Sequence, residues 1–300
     1  MSSILTSVIV CTRNRPNDLS NFLNSLEKQI SIPNELIIVD SSDVPLENND
    51  QFKNQFNSEH FPSTKLIYKH SQPGLTLQRN IGLSLFHGEL VYFFDDDTIL
   101  EPDYIQKMND VFIENPNYGG GMGFVKNIVS KKNNFYRMFH KIFLLQRDYA
   151  SGKFTMSGMP THTYGLNNFK NVQVLGGCCM AFRSHVFLKH KFDENLKFYA
   201  SMEDCDFSAR VSKDHQLFYN PAAKLMHLQS PTAREKIENS CAMYIHNYSY
   251  LFFKNFFKHN PLKIFAYAWS VLGLLLESLI FRDKIHFNGY IKGLKQYYLK

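Results

Sequence analysis

Three hundred residues, 44% hydrophobic and 20% charged, are enough for a large core or a core with an appendage, and this composition excludes a disordered chain. The net charge of +6 sits in the last fifty residues, where eight Lys and Arg face only Glu277 and Asp283, so residues 1–250 sum to zero. A basic tail on a neutral body points to an anionic partner for the tail.

The N-terminus, MSSILTSVIVCTRNRP, has no basic leader and runs straight into a strand-like SVIVC, so it does not read as a signal peptide. Cys11, Cys178, Cys179, Cys205 and Cys241 form no CxxC pair, which suits free thiols in a reducing compartment. The two observations place the chain in the cytosol. Ser7 to Cys11 reads as a buried strand, and Pro16 suits the first turn of a helix carrying Leu19, Phe22, Leu23, Leu26 and Ile30. Glu35 to Val39 is a second strand ending in Asp40-Ser41-Ser42-Asp43. Asn48 to Ser63 is polar, helix plus loop, and Lys65 to Lys69 is a third strand. Gly74 opens a helix with Leu77, Ile81 and Leu85. Strand and helix alternate, which predicts an α/β sandwich with a mostly parallel sheet whose strand ends gather Thr12, Asp40 and Asp95 on one edge.

The fourth strand, Leu90 to Phe94, ends in Asp95, Asp96 and Asp97. Ligands gather at the carboxyl ends of parallel strands, and hard carboxylate oxygens suit Mg²⁺ or Mn²⁺ holding the phosphates of a substrate. The plainer alternative is an acidic turn that starts the next helix, since Glu101-Pro102-Asp103 favours one. Tyr104, Ile105, Met108, Val111 and Phe112 make that helix amphipathic, and Tyr118 to Val129 reads as a glycine-rich strand. Phe135, Met138, Phe139, Ile142 and Phe143 repeat at helical spacing, a core face or a face toward a membrane. Ser151 to Asn171 is a long polar loop of the kind that often carries function.

Val172 to Phe182 reads as a strand interrupted at Gly176-Gly177, where missing side chains permit a bulge or close approach of a ligand. Glu203, Asp204 and Asp206 crowd the first turn of a helix. The helix dipole explains part of this crowding, but the three acids cannot all face it, which leaves one for chemistry. His215 to Asn220 and Ala223 to Leu228 close the body as two strands, the second bearing His227.

Residues 243–300 read as helices: LFFKNFFKH, Leu262 to Phe281, and Tyr290 to Lys300. The charge-free run Ile264 to Leu276 is shorter than the ~20 residues of a membrane-spanning helix. Aromatics interleaved with lysines fit a helix in the interface of an anionic leaflet, and a helical cap or a dimer surface are the alternatives. The lysines are too dispersed among apolar runs to line a nucleic-acid groove. The division expected is a body over residues 1–230 and a tail over residues 231–300.

Taken in order, TRNRP, VDSS, Gln78-Arg79-Asn80, FFDDDT, LGGCCMAFR and MEDCDFSAR resemble the family 2 glycosyltransferases of the GT-A fold, over roughly residues 5–230. The resemblance implies an inverting transfer from a nucleoside-diphosphate sugar, UDP or dTDP ahead of GDP, to a glycan or lipid-linked acceptor, as in bacterial surface polysaccharide synthesis, at the inner face of the cell membrane. It implies that Thr12, Arg13, Arg15, Asp40, Arg79 and Asp96 contact the donor nucleotide. Asp40 would accept a base N–H, and Arg79 would lie near the diphosphate. Asp95, Asp97 and His227 are implied as metal ligands, Asp204 as the base, Glu203 as orienting the acceptor or Asp204, Asp206 as the helix cap, and Gly176-Gly177 as part of the acceptor side. Two rivals stand beside it. A nucleotidyltransferase would be expected to carry a glycine-rich N-terminal phosphate loop, which TRNRPN lacks, and a degenerate scaffold would have no need of the full carboxylate set.

Overall fold

The computed structural model describes residues 4–128, 134–197, 199–230, 235–258 and 260–299. Three buried strands, β1 (Thr6–Thr12), β2 (Glu35–Asp40) and β4 (Leu90–Asp95), and a partly exposed edge strand, β3 (Lys65–His70), run parallel in the order β3-β2-β1-β4. They are joined through α1 (Pro16–Glu27), the short α2 (Asp50–Gln55) and α3 (Leu75–Gly82). The near-continuous Val, Ile, Leu and Phe of β1, β2 and β4 are what a strand covered on both faces requires, whereas β3, KLIYKH, lies at the sheet edge. The helical spacing of Leu19, Phe22, Leu23 and Leu26 packs α1 onto the sheet. That helix ends at Glu27, so Ile30 lies beyond it and is exposed.

After β4 the chain makes β5 (Thr98–Leu100), α4 (Tyr104–Glu114), β6 (Tyr118–Val125) and α5 (Asn134–Ile142). The expected continuation of β6 to Val129 ends outside the described residues. Then follow β7 (Lys170–Val172), β8 (Cys179–Arg183), α6 (Glu203–Val211) and β9 (Gln216–His227). The mostly parallel sheet grows past β4 in the order β8-β6-β9-β5, with β8 antiparallel to both its neighbours and β7 paired to β9. Phe182 and Phe218 fill the space that side chains at Gly120 and Gly121 would occupy, which is why β6 is glycine-rich. The two closing strands expected from the sequence are one strand. Asn220 pairs with Gly123 and Lys224 with Phe124, so Pro221, Ala222 and Ala223 bulge out and β9 resumes.

The C-terminal helices are α7 (Ile237–Leu251), which runs on through a π-helical turn at Phe252–Phe256, α8 (Pro261–Ile280) and α9 (Lys284–Tyr298). Their aromatic residues Tyr248, Phe252 and Tyr267 share a second core with Ala200, Met202, Cys205 and Ala209 around α6. The tail is therefore fastened to the element that carries Glu203 and Asp204. Among the described residues α8 is the one helix long and apolar enough, by length and composition, to cross a membrane. The charge-free run understated its length because the end charges are accommodated. Lys263 donates to the Phe256 carbonyl at 2.9 Å, and Glu277 meets His140 at 3.1 Å.

Candidate active site

The carboxyl ends of β1, β2 and β4, the segment between β7 and β8 and the start of α6 surround a cavity of ≈ 470 Å³. Alternation along the β4 tip sorts its acids by face. Asp96 turns one way, accepting from Thr12 Oγ1 at 2.7 Å and pairing with Arg15 at 3.2 Å. It is almost wholly buried, and burial pushes its carboxyl up to about 7 against the pull of Arg15. Each Asp96 oxygen has one partner on the rim, and the residue itself lines the cavity where contact with the donor was expected. Arg13 lines the edge of the cavity and pairs outward with Asp43.

Asp95 and Asp97 turn the other way, toward His227 at the end of β9. His227 Nε2 lies 3.0 Å from Asp97 Oδ1 and 3.7 Å from Asp95 Oδ2, and the three ligand atoms lie within 4.8 Å of one another. At this separation Asp97 Oδ1 is buried without an aligned hydrogen bond, so nitrogen and oxygen face a shared point. About 3 Å is the spacing of adjacent ligand atoms at ~2.1 Å from one cation, and two carboxylates with an imidazole suit Mn²⁺ or Mg²⁺. The other Asp97 oxygen accepts the Ser230 N–H at 2.9 Å, which fixes the carboxylate. Burial opposes the Asp97 charge, but His227 and Ser230 outweigh it and hold its carboxyl below the usual range. For Asp95 burial wins and the carboxyl is raised. His227 is raised by its two acids despite burial.

Arg79, on α3 and only 2% exposed, ties three segments together. It meets Glu203 at 2.5 Å and Asp95 at 3.6 Å, donates to the Gly177 carbonyl at 3.0 Å, and stacks over Phe192. The resemblance implied that Arg79 lies near a diphosphate; its guanidinium stands on the cavity wall, held there by this tie. Its neighbours in the motif work alike. Gln78 donates to the carbonyls of Thr12 and Val39, clamping β1 to β2, and Asn80 clamps the Phe192 backbone. Glu203 is buried against Arg79, yet burial, with Asp204 and Asp95 adding, pushes its carboxyl up to about 8.

Two non-glycine residues with left-handed backbone, Ala200 (φ 50°) and Met202 (φ 70°), make the sharp turn that starts α6, a strain of order 1 kcal/mol each. The turn points Glu203 inward and brings Asp204 to the cavity. Asp204 Oδ2 accepts the Gly177 N–H at 2.8 Å and Oδ1 that of Cys205 at 2.8 Å, leaving lone pairs on both oxygens. A Cβ on Gly177 would sit 2.8 Å from Glu203 Oε1, so the close approach expected there is made by the chain's own acids. Asp206 does not cap the helix. At 1% exposure it holds Arg210 at 2.8 Å, Lys254 at 2.9 Å and Asn255 at 2.8 Å.

Two expected residues are not brought to the cavity. Asp40 is fully buried below it, its oxygens taken by the N–H groups of Ser42 and Leu46 and by Tyr68 Oη; Ser41 lines the cavity beside it. Gly176 packs under the Tyr164 hydroxyl, its N–H toward Met122 Sδ. Sequence reasoning missed Tyr164, Tyr199, Ser201 and Gln229 on the cavity wall. Only Tyr164 had a signal, its place in the long loop 151–171.

Solved glycosyltransferases share this architecture. The mannosyltransferase PcManGT of Pyrobaculum calidifontis, in complex with GDP-Man and Mn²⁺, superimposes with a TM-score of 0.62 at 13% identity, over 100% of this chain and 89% of that one. GalNAc-T7 with UDP, GalNAc and Mn²⁺ gives 0.61 at 13% identity, over 95% and 58%. TarS of S. aureus gives 0.50 at 16% identity, over 92% and 44%. These likenesses define the class, a GT-A-type α/β fold with added C-terminal helices. The family model of glycosyl transferase family 2 matches residues 7–190, and the chain belongs to that family. An uncharacterized glycosyltransferase of Haemophilus influenzae is 32% identical over 113 residues. That match covers 38% of this chain and 36% of the relative, so the chain spans little more than a third of the curated protein it matches.

Proposed function

We propose that the protein is an inverting, cation-dependent glycosyltransferase that moves a sugar from a nucleoside diphosphate to a hydroxyl of a glycan or lipid-linked acceptor. One observation carries the reading: the Asp95–Asp97–His227 cluster and a rigidly held Asp204 share a single cavity. Membership of the family supports sugar transfer, and the Mn²⁺ named with two of the structural relatives supports the cation.

Asp95, Asp97 and His227 would hold Mn²⁺ or Mg²⁺, whose charge stabilises a departing diphosphate. Asp204 takes the proton of the acceptor hydroxyl as its oxygen bonds to the anomeric carbon and the bond from that carbon to the diphosphate oxygen breaks. Attack in line with the leaving group inverts the anomeric centre. Glu203 and Arg79 are positioning residues: through the Gly177 carbonyl and N–H they set where the Asp204 carboxylate stands. With Asp40 below the cavity, nothing at that position favours one base, and GDP stands level with UDP and dTDP as donor nucleotide.

The test is incubation with a panel of UDP-, dTDP- and GDP-sugars in Mn²⁺, following release of nucleoside diphosphate, and then chelation. Release that stops with chelator is the expected result. Pyrophosphate formation from a nucleoside triphosphate and sugar phosphate, or inertness to every donor with and without acceptor glycans, would overturn the proposal.

A further inference from the structure

Helix α8 is apolar on two sides, one buried against protein and the other largely exposed. Ala266, Tyr267, Ser270, Gly273, Leu274 and Ser278 are buried. This inner side is locked by polar bonds, with Ser270 Oγ 2.6 Å from Tyr248 Oη and Tyr267 Oη 2.6 Å from Ser249 Oγ. The outer side repeats Phe265, Trp269, Leu272 and Leu279 at spacings of three, four and seven residues, all exposed, Phe265 to 72%.

Helix α5 widens this stripe. It lies along α8 through Phe143, stacked on Trp269 at 4.8 Å, through the Trp269 indole N–H donating to the Ile142 carbonyl at 2.8 Å, and through Tyr136 against Phe281 at 6.0 Å. Its own Phe135, Met138 and Ile142 are left exposed, Met138 to 56%. An uncovered apolar area built from two helices is larger than the scattered exposed side chains of an ordinary surface. Its margin carries exposed cations, Arg137 and Lys141 on α5, the latter paired with Asp148 at 3.4 Å, and Arg282 and Lys284 past the end of α8, these two within a tail whose balance is eight cations to two acids.

We propose that the paired outer faces of α5 and α8 dock the protein flat onto an anionic lipid leaflet, without crossing it. Charge decides between lipid and a second copy of the chain, because two such basic margins repel each other while an anionic leaflet attracts them, by about 1 kcal/mol per cation near the surface. The flat orientation follows from the inner side. A spanning α8 would have to abandon the Tyr248, Ser249 and His140 contacts, whereas a helix lying in the interface keeps them and buries only its outer side. The inference is independent of the proposed transfer reaction, and either can fail alone.

Trp269 is the single tryptophan of the chain and stands on this surface, so its fluorescence reports docking directly. Full-length protein is titrated with vesicles of phosphatidylcholine alone and with a quarter of phosphatidylglycerol, including lipids brominated near the headgroup or near the chain ends. The expected result is a blue shift with anionic vesicles, weakened by 0.5 M NaCl, and quenching mainly by the shallow bromines. The double variant M138E/F265E binds about tenfold weaker or worse, each change placing a charge where apolar area was buried. Its melting temperature is compared with the wild type, and the milder F265S is measured beside it in case the double variant misfolds. Overturning results are absence of a shift at millimolar lipid, unchanged binding by a folded variant, strongest quenching from the bilayer centre, or a lipid-free shift that grows with protein concentration.

Discussion

The acids at the end of β4 and those at the start of α6 form two triplets that look alike in sequence and end up with different tasks. In each, an arginine from elsewhere pairs with one member: Arg15 meets Asp96, and Arg79 meets Glu203. The strand alternates its side chains, so Asp95 and Asp97 emerge together, facing His227. The helix turns each successive residue by about 100°, so Asp204 emerges alone and Asp206 is carried under the site to Lys254 and Asn255. Two acids converging on one point suit a cation; one acid standing by itself, held by backbone N–H groups, suits a proton.

The variants that sharpen this contrast are given from the largest expected effect downward. Asp204→Asn lowers turnover by about 10²–10⁴-fold with donor KM little changed, as read by nucleoside diphosphate release. Near-normal turnover would remove Asp204 from the role of base. Asp97→Ala abolishes Mn²⁺ binding in titration calorimetry while Asp96→Asn retains it, and equal losses would erase the division of labour within the first triplet. Arg79→Ala destabilises the fold by about 3–5 kcal/mol, because Glu203 is left buried without its partner, and thermal unfolding measures it.

The pH dependence of stability tests Glu203. Its carboxyl is raised from 4.5 to about 8 in the folded chain, so the unfolded chain gives up its proton first. The stability this proton contributes is complete below pH 4.5 and is lost as pH rises toward 8. Glu203→Gln has no such proton to lose, and its melting temperature should gain on that of the wild type across this window; parallel curves would contradict it. The smallest effect is that of Asp206→Asn, about 2 kcal/mol from weakened bonds to Lys254 and Arg210, with Mn²⁺ binding intact.

Much of the fold and the centre of the site could be read beforehand because both follow from local pattern. Apolar runs ending in polar turns marked β1 to β4, and adjacent acids marked the cavity. Partners brought from far along the chain could not be read. Asp40 is captured by the N–H of Leu46 and the hydroxyl of Tyr68, and Asp206 by Lys254, forty-eight residues on. Gly176 and Gly177 differ by one position, yet one packs beneath Tyr164 and the other meets Asp204, a distinction set by the path of a loop. The cavity-lining Tyr199 and Gln229 come from irregular segments whose residue types announce nothing.

The bulge at Pro221–Ala223 has a consequence for how this chain can change. It separates the half of β9 paired with β6 at Gly123 from the half that ends at His227 opposite Thr98. The second half is held by its own pairs with β5 and with Phe124 and Val125, so the looped-out residues stand outside the ladder, and losing all three would leave Asn220 and Lys224 in step with Gly123 and Phe124 and His227 still opposite Thr98. Viable descendants of this gene should therefore vary the length of that loop while keeping the pairing of His227 with Thr98, which can be checked by building the deletions one residue at a time.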